Sequence, residues 1–172
     1  MSFTRTRALI VLAVLAALAI AGVAVALVRD TQGDAAAQGC PAGATTVNVK
    51  LPEHSDQVKL RILNGTRTTG RAEQVSEEFK NRGFQMQRPA DSRSKVAKVA
   101  VIKFGPKTVG AAQWIRAYFL GEGVAQYEAT RTTDVIDIVV GDQYKQLATT
   151  TEVNQSLAQL SDPKLPPGTC AA

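Results

Sequence analysis

From residue 58 the chain alternates, with Val58, Leu60 and Ile62 apolar and Lys59 and Arg61 charged between them. That is the period of a strand with one buried face. Asn64-Gly65 interrupts it, and both residues tolerate positive φ, so a turn is expected there. Ala72, Val75 and Phe79 then recur at helical spacing, with Thr68, Thr69 and Gly70 placed to cap the helix. Glu73, Glu77 and Glu78 lie towards its start and Lys80 and Arg82 at its end, as the helix dipole favours. Gly83 suits the left-handed position after the last turn, and Phe84 and Met86 open a new alternation. The stretch reads as strand, polar loop, helix, strand.

The remaining pattern extends this order. Residues 88–95 read as a loop, and residues 96–104 as a long strand closed by Gly105-Pro106. A second helix is predicted over 108–120, with Ala112, Ile115 and Phe119 on one stripe and Ala111, Trp114 and Tyr118 on the next. After Gly121 and Gly123 come a short strand over 124–128 and then VIDIVV at 135–140, apolar enough for a central strand buried on both faces. Asp137 interrupts that run and requires a partner or an exposed face. A short helix is expected over 142–147, and another capped by Thr151 and ended by Ser161-Asp162-Pro163. The result is a small α+β fold, a βαββαβ-type sheet with helices packed on one face. Before it, Val47 to Leu51 alternate briefly, as an edge strand or a segment lying on the domain.

Four segments carry a family likeness: VKLRILNGTRTTGRAEQVSEEFKNRGF, KVAVIKFGP, GAAQWIRAYFL and DVIDIVVGDQY. In this order, over about residues 58–147, they resemble the LytR C-terminal domain of actinobacterial envelope proteins. The resemblance implies an extracytoplasmic protein that supports cell-envelope integrity without catalysis, as a scaffold for envelope or wall-polymer assembly proteins. The alternative it leaves open is a binding module for peptidoglycan, an anionic wall polymer or lipid headgroups. In larger relatives the domain follows a LytR-CpsA-Psr catalytic domain. That domain has no counterpart in these segments, so phosphotransfer is not carried over.

The apolar fraction is unevenly spread. Residues 8–28 contain 21 positions without a charge, about the length of a membrane-crossing helix. Arg5 and Arg7 precede them, which places the N-terminus in the cytoplasm and the rest outside. A cleaved signal peptide with Ala24-Val25-Ala26 as its site is the rival, but its apolar core is usually only about 7–15 residues long. The expected layout is a cytoplasmic start at 1–7, a single-pass anchor at 8–28, a linker at 29–56, the domain at 57–160 and a tail at 161–172. Cys40 and Cys170 bracket the domain, and export permits a disulfide between them, the other reading being two free thiols.

Charge divides the chain. The net value is +5, but residues 58–107 hold 12 Lys and Arg against 4 acids, whereas residues 108–172 hold 4 against 7. A basic surface on the first half of the domain would meet lipid headgroups or wall polymers outside a membrane, and not nucleic acid. An ordinary solvated face is the plainer reading.

Catalytic motifs are absent from the sequence: no G-x-S-x-G, H-E-x-x-H, C-x-x-C or G-x-x-x-x-G-K occurs. No enzyme activity and no cofactor is therefore expected. His54, beside Glu53 and Asp56, lacks a second histidine, so no metal is expected either. Asp134 and Asp137, three apart on one strand, point to opposite faces and do not pair as a glycosidase couple; with Asp142 they read as strand-end and turn residues. The candidate ligand loop is Asn64, Gly65, Thr66, Arg67, Thr68, Thr69, Gly70 and Arg71, whose backbone N–H groups, hydroxyls and two arginines suit an anion. Turn and capping chemistry would select the same Gly and Thr residues. Trp114 and Tyr118 are a candidate partner face, or else core.

Overall fold

The computed structural model describes residues 13–17, 19–20, 40 and 43–172. The expected anchor at 8–28 lies outside these apart from residues 13–17 and 19–20, which are helical and expose Val14, Leu15 and Ile20. Among the described residues no helix is long and apolar enough to cross a membrane. The chain divides into two compact units, Met1–Pro41 and Ala42–Ala172, and the fold below is that of the second.

Its main sheet is built from β2 (Lys59–Asn64), β3 (Gln85–Met86), β4 (Ala90–Asp91), β5 (Ala100–Phe104), β6 (Val124–Tyr127) and β7 (Val135–Val140). The strand order is β3-β2-β7-β5-β6, with β4 also pairing β2. Here β7 runs parallel to β2 and antiparallel to β5, while β5 and β6 are parallel. Two strand–helix–strand units thus flank β7. α1 (Arg71–Lys80) joins β2 to β3, and α2 (Val109–Tyr118) joins β5 to β6. Both helices cover one face. Val75 and Phe79 of α1 and Ala112 and Ile115 of α2 share a buried cluster with Leu60, Ile62, Ile102, Ile136 and Ile138. α3 (Thr150–Leu160) packs on α2.

Local chemistry explains most boundaries. Gly83 takes φ +87° after α1, as its place in the sequence predicts. α3 is capped by Thr149, not Thr151: Thr149 Oγ1 accepts from the Glu152 N–H at 3.4 Å and Glu152 Oε2 accepts from the Thr149 N–H at 2.7 Å. This is a capping box, and its partner three residues on fixes the start.

Several expectations need correction. The turn after β2 does not use positive φ at Asn64 or Gly65. Gly65 is required instead by proximity, since a Cβ there would lie 2.8 Å from Val139 Cγ1 and 2.8 Å from the Val140 carbonyl. The strand expected over 96–104 begins only at Ala100, because Val96 turns away to donate to the Gly65 carbonyl at 2.9 Å. No helix forms over 142–147, where Tyr144 and Leu147 are nevertheless buried.

The second compact unit reaches beyond 57–160 at both ends. β1 (Thr45–Val47) and β8 (Thr169–Ala171) form a separate parallel pair, Thr46 opposite Cys170. Val47 is 1% exposed and belongs to the core. Both cysteines are disulfide-bonded, which joins Cys40 to Cys170. The strap after β1 lies on the start of α2, the Asn48 carbonyl accepting from the Gly110 N–H at 3.0 Å.

Candidate functional site

Among the described residues of this unit no helix covers the second face of the sheet, and strand register determines what that face presents. Residues of one parity on β2, β7, β5 and β6 fill the helix side, so the other parity faces away. Pairings of Arg61 with Asp137, Lys103 with Asp137 and Lys103 with Gln126 set four polar side chains in one row across the sheet. The adjacent row is apolar: Leu63, Val139, Val101 and Val124.

Asp137 is 3% exposed, yet it is well satisfied. Arg61 donates from Nε to Oδ1 at 2.8 Å and from Nη2 to Oδ2 at 2.7 Å, and Arg131 donates from Nη2 to Oδ2 at 2.8 Å. Burial pushes the carboxyl up, but these hydrogen bonds outweigh it and hold Asp137 below the usual carboxylate range. The hydrogen bond to Asp137 correspondingly raises the Arg61 guanidinium. Arg131 also donates to Glu128 Oε2 at 3.0 Å and to the Val135 carbonyl at 3.0 Å. The 128–134 loop is thereby tied to the start of β7, where Arg131 helps to bury the second side of the strand at Asp137.

One end of the face is covered by residues 92–99, which arch back over the sheet. Ser92 donates to the Asn64 carbonyl at 3.0 Å, and the Val96 and Val99 carbonyls accept from Asp142 and Gly141 at 2.8 and 2.9 Å. Gly141 makes this possible, because a Cβ there would sit 2.0 Å from the Lys98 carbonyl. Between the arch and the strands lies a groove of about 660 Å³, lined by Arg61, Leu63, Arg93, Val101, Lys103, Gln126 and neighbours. That is within the size range of ligand clefts. Among the described residues Arg93 and Lys103 form no ion pair.

The loop expected to take a ligand is organised differently from the groove. Asn64 and Thr66 are buried, and their polar groups turn inward. Asn64 Oδ1 accepts from the Thr66 N–H at 3.0 Å and Oγ1 at 2.8 Å, and Asn64 Nδ2 donates to the Thr68 carbonyl at 3.0 Å. Thr66 Oγ1 accepts from the Thr68 N–H at 3.0 Å, while Lys95 Nζ donates to the Thr66 carbonyl. Arg67, Thr68, Thr69 and Gly70 are exposed, and Gly70 caps α1 with φ +77° and no side chain. The Arg67 N–H donates to Asp142 Oδ1 at 3.2 Å, and the Arg71 guanidinium lies 5.9 Å from the centre of the Tyr144 ring. Tyr144 in turn donates to Glu78 Oε2 at 3.1 Å, and burial followed by the Glu78 charge raises its hydroxyl pKa.

Tyr118 is 9% exposed, its ring 5.5 Å from Phe79 and 5.3 Å from Phe84. Trp114 is half-buried, its ring 5.5 Å from Phe84. The three aspartates go to separate partners: Asp134 to Lys59 at 2.8 Å, Asp137 to the two arginines, and Asp142 to the Arg67 backbone. Among the described residues no cluster of His, Cys, Asp and Glu is arranged to hold a metal. Sequence reasoning missed the row Arg61, Lys103 and Gln126, as well as Arg93. The signal was the charge at every second position of 59–61 and the lone lysine in AVIKF, which only strand pairing assembles.

Comparison with known proteins adds a family and a fold. The family model described as LytR cell envelope-related transcriptional attenuator matches residues 57–144. The solved soluble domain (residues 71–217) of a conserved hypothetical secreted protein from Mycobacterium marinum, an Rv2700 ortholog, is similar with a TM-score of 0.51. The likeness covers 71% of this chain and 83% of that one at 20% identity, so it speaks for the fold alone. No curated protein matches the sequence.

Proposed function

The chain belongs to the LytR cell envelope-related transcriptional attenuator family, and on that premise we propose that it is a membrane-anchored, extracytoplasmic binding module of the cell envelope. It has no catalytic role in this reading. It holds a component of the wall against the helix-free face of its sheet. The observation that carries the proposal is the uncovered groove, whose floor combines a fixed polar row with an apolar one. The Mycobacterium marinum protein is described as secreted, and this together with the 21-residue apolar run supports placing the domain outside the membrane. A finer likeness, to the actinobacterial envelope integrity protein Cei, rests on that run, Cys40, RILNGT, GAAQWIRAYF, TTDVIDIVVGDQY and Cys170-Ala171-Ala172, and supports a part in envelope integrity. Sedimentation of the purified chain with isolated cell walls tests the proposal. Pelleting at low salt is expected, and its absence contradicts binding to the wall.

A second reading, a scaffold for envelope or wall-polymer assembly proteins, is favoured by one feature. Among the described residues β6 pairs only with β5, and its Val124, Ala125 and Gln126 are exposed, leaving a sheet edge that a partner strand can join. The apolar stripe of α2 does not serve this reading, being covered by the sheet and α3. Crosslinking in cells from position 125 is expected to capture a protein partner if the edge is used, and no captured protein counts against the scaffold.

A further inference from the structure

We propose that the groove on the helix-free face takes a phosphodiester-linked polyanion, with Arg93 and Lys103 as its cationic contacts and Arg61, held by Asp137, as a fixed donor beside them. This deepens the binding-module reading and rests on it.

The charges of the groove are unequal in kind. Asp137, in the same row as Lys103, is consumed by Arg61 and Arg131, so it offers no counter-charge to a ligand. Arg61 is rigid because it is bidentate on Asp137, yet its side chain remains 43% exposed at the groove. Arg93 and Lys103 are left unpaired among the described residues. Asp91 is the one acid of the lining that no cation pairs, so the cations prevail. Guanidinium and ammonium groups are the donors that suit phosphate oxygens, and Ser92 and Ser94 on the arch supply hydroxyls beside them.

The apolar row gives the ligand its second property. Leu63, Val101 and Val139 run parallel to the polar row, one residue pair along each strand. A chain that alternates charged groups with short carbon spacers can set the former on Arg93, Arg61 and Lys103 and the latter on this strip. The backbones of Arg61 and Lys103 stand two strands apart, about 10 Å, and Arg93 lies on the arch, so the cations are spread along the groove and suit a ligand with repeated charges. A bilayer surface fits less well: the groove is walled on one side by Ser92, Arg93, Ser94 and Val96 of the arch, and a strand of polymer enters such a cleft more readily than a planar headgroup layer.

The test uses the full chain in neutral detergent and a fluorescently end-labelled poly(glycerol phosphate), read by anisotropy. Saturable binding at low salt that weakens as salt rises is expected. The double variant Arg93→Gln/Lys103→Gln should weaken it about tenfold or more, whereas Lys50→Gln/Lys164→Gln, altering exposed cations elsewhere, should not. Circular dichroism of each variant confirms the fold. Equal binding by the Arg93/Lys103 variant overturns the inference, as does equal competition by neutral dextran. Capture by phosphatidylglycerol vesicles that depends on the same two residues and exceeds polymer binding also overturns it, assigning the face to lipid. Pelleting with walls that persists while polymer binding fails removes this ligand and leaves the binding module. Failure of both removes both.

Discussion

Arg61 and Asp137, 76 residues apart in sequence, face each other across β2 and β7 with two hydrogen bonds of 2.8 and 2.7 Å. The contact joins the first strand of the main sheet to its central one and fixes an arginine on the floor of the groove. Replacing Asp137 by Ala leaves Arg131, only 14% exposed, without its buried partner. A loss of about 3 kcal/mol is expected, the range for breaking a buried pair from one side, measured by urea unfolding.

The same carboxylate sets an acid limit. Asp137 and Asp134 both have folded pKa values below their ordinary ones, the latter chiefly through its hydrogen bond from Lys59. A depressed folded pKa gives stability that is complete above the unfolded value, about 3.9, and is lost as pH falls through the folded one. Thermal midpoints should therefore hold steady through neutral pH and drop below about pH 4. In Asp137→Asn the drop should be shallower, from a lower starting midpoint.

Gly110 tests the strap. A Cβ there would lie 2.2 Å from the Lys50 carbonyl oxygen and 2.5 Å from that of Val49. Helix propensity favours Ala over Gly by about 1 kcal/mol, but the clash is with backbone and cannot be relieved by a rotamer. Gly110→Ala is expected to destabilise by about 1–3 kcal/mol despite the propensity gain. An unchanged or raised thermal midpoint would show that the strap after β1 is not seated on α2.

The disulfide ties the chain's second end. Closing a loop from Cys40 to Cys170 stabilises by about 5 kcal/mol in the chain-entropy account, an upper figure if the unfolded chain keeps structure. Alkylation followed by mass spectrometry should label no thiol before reduction and two after it. The reduced protein should unfold at lower urea.

Much of the fold is legible because it is local. The alternation from Val58 to Ile62, the helical spacing of Ala72, Val75 and Phe79 and the turn at Gly83 each depend on neighbours within a few residues. What escapes is whatever distant backbone decides. Val96 and Val99 carry strand-like side chains, yet their backbone bonds go to Gly65 and Gly141, so the strand starts late and an arch forms. Tyr144 and Leu147 are spaced for a helix but are held singly in the core. The site is harder still. Arg61 and Lys103 look like ordinary solvent-facing strand residues until β7 is inserted between them with Asp137 in register. Asn64-Gly65-Thr66 reads in the sequence as a loop of donors, but Asn64 and Thr66 are buried, so packing explains those residues as closely as binding does.

Lysine footprinting on isolated cell walls addresses the central claim most directly, that the helix-free face is where the domain binds. With walls present, acylation of Lys103 should slow several-fold relative to Lys50 and Lys164, which lie away from the groove. Equal rates at all three lysines, under conditions where the protein pellets, would place the contact elsewhere and contradict the account.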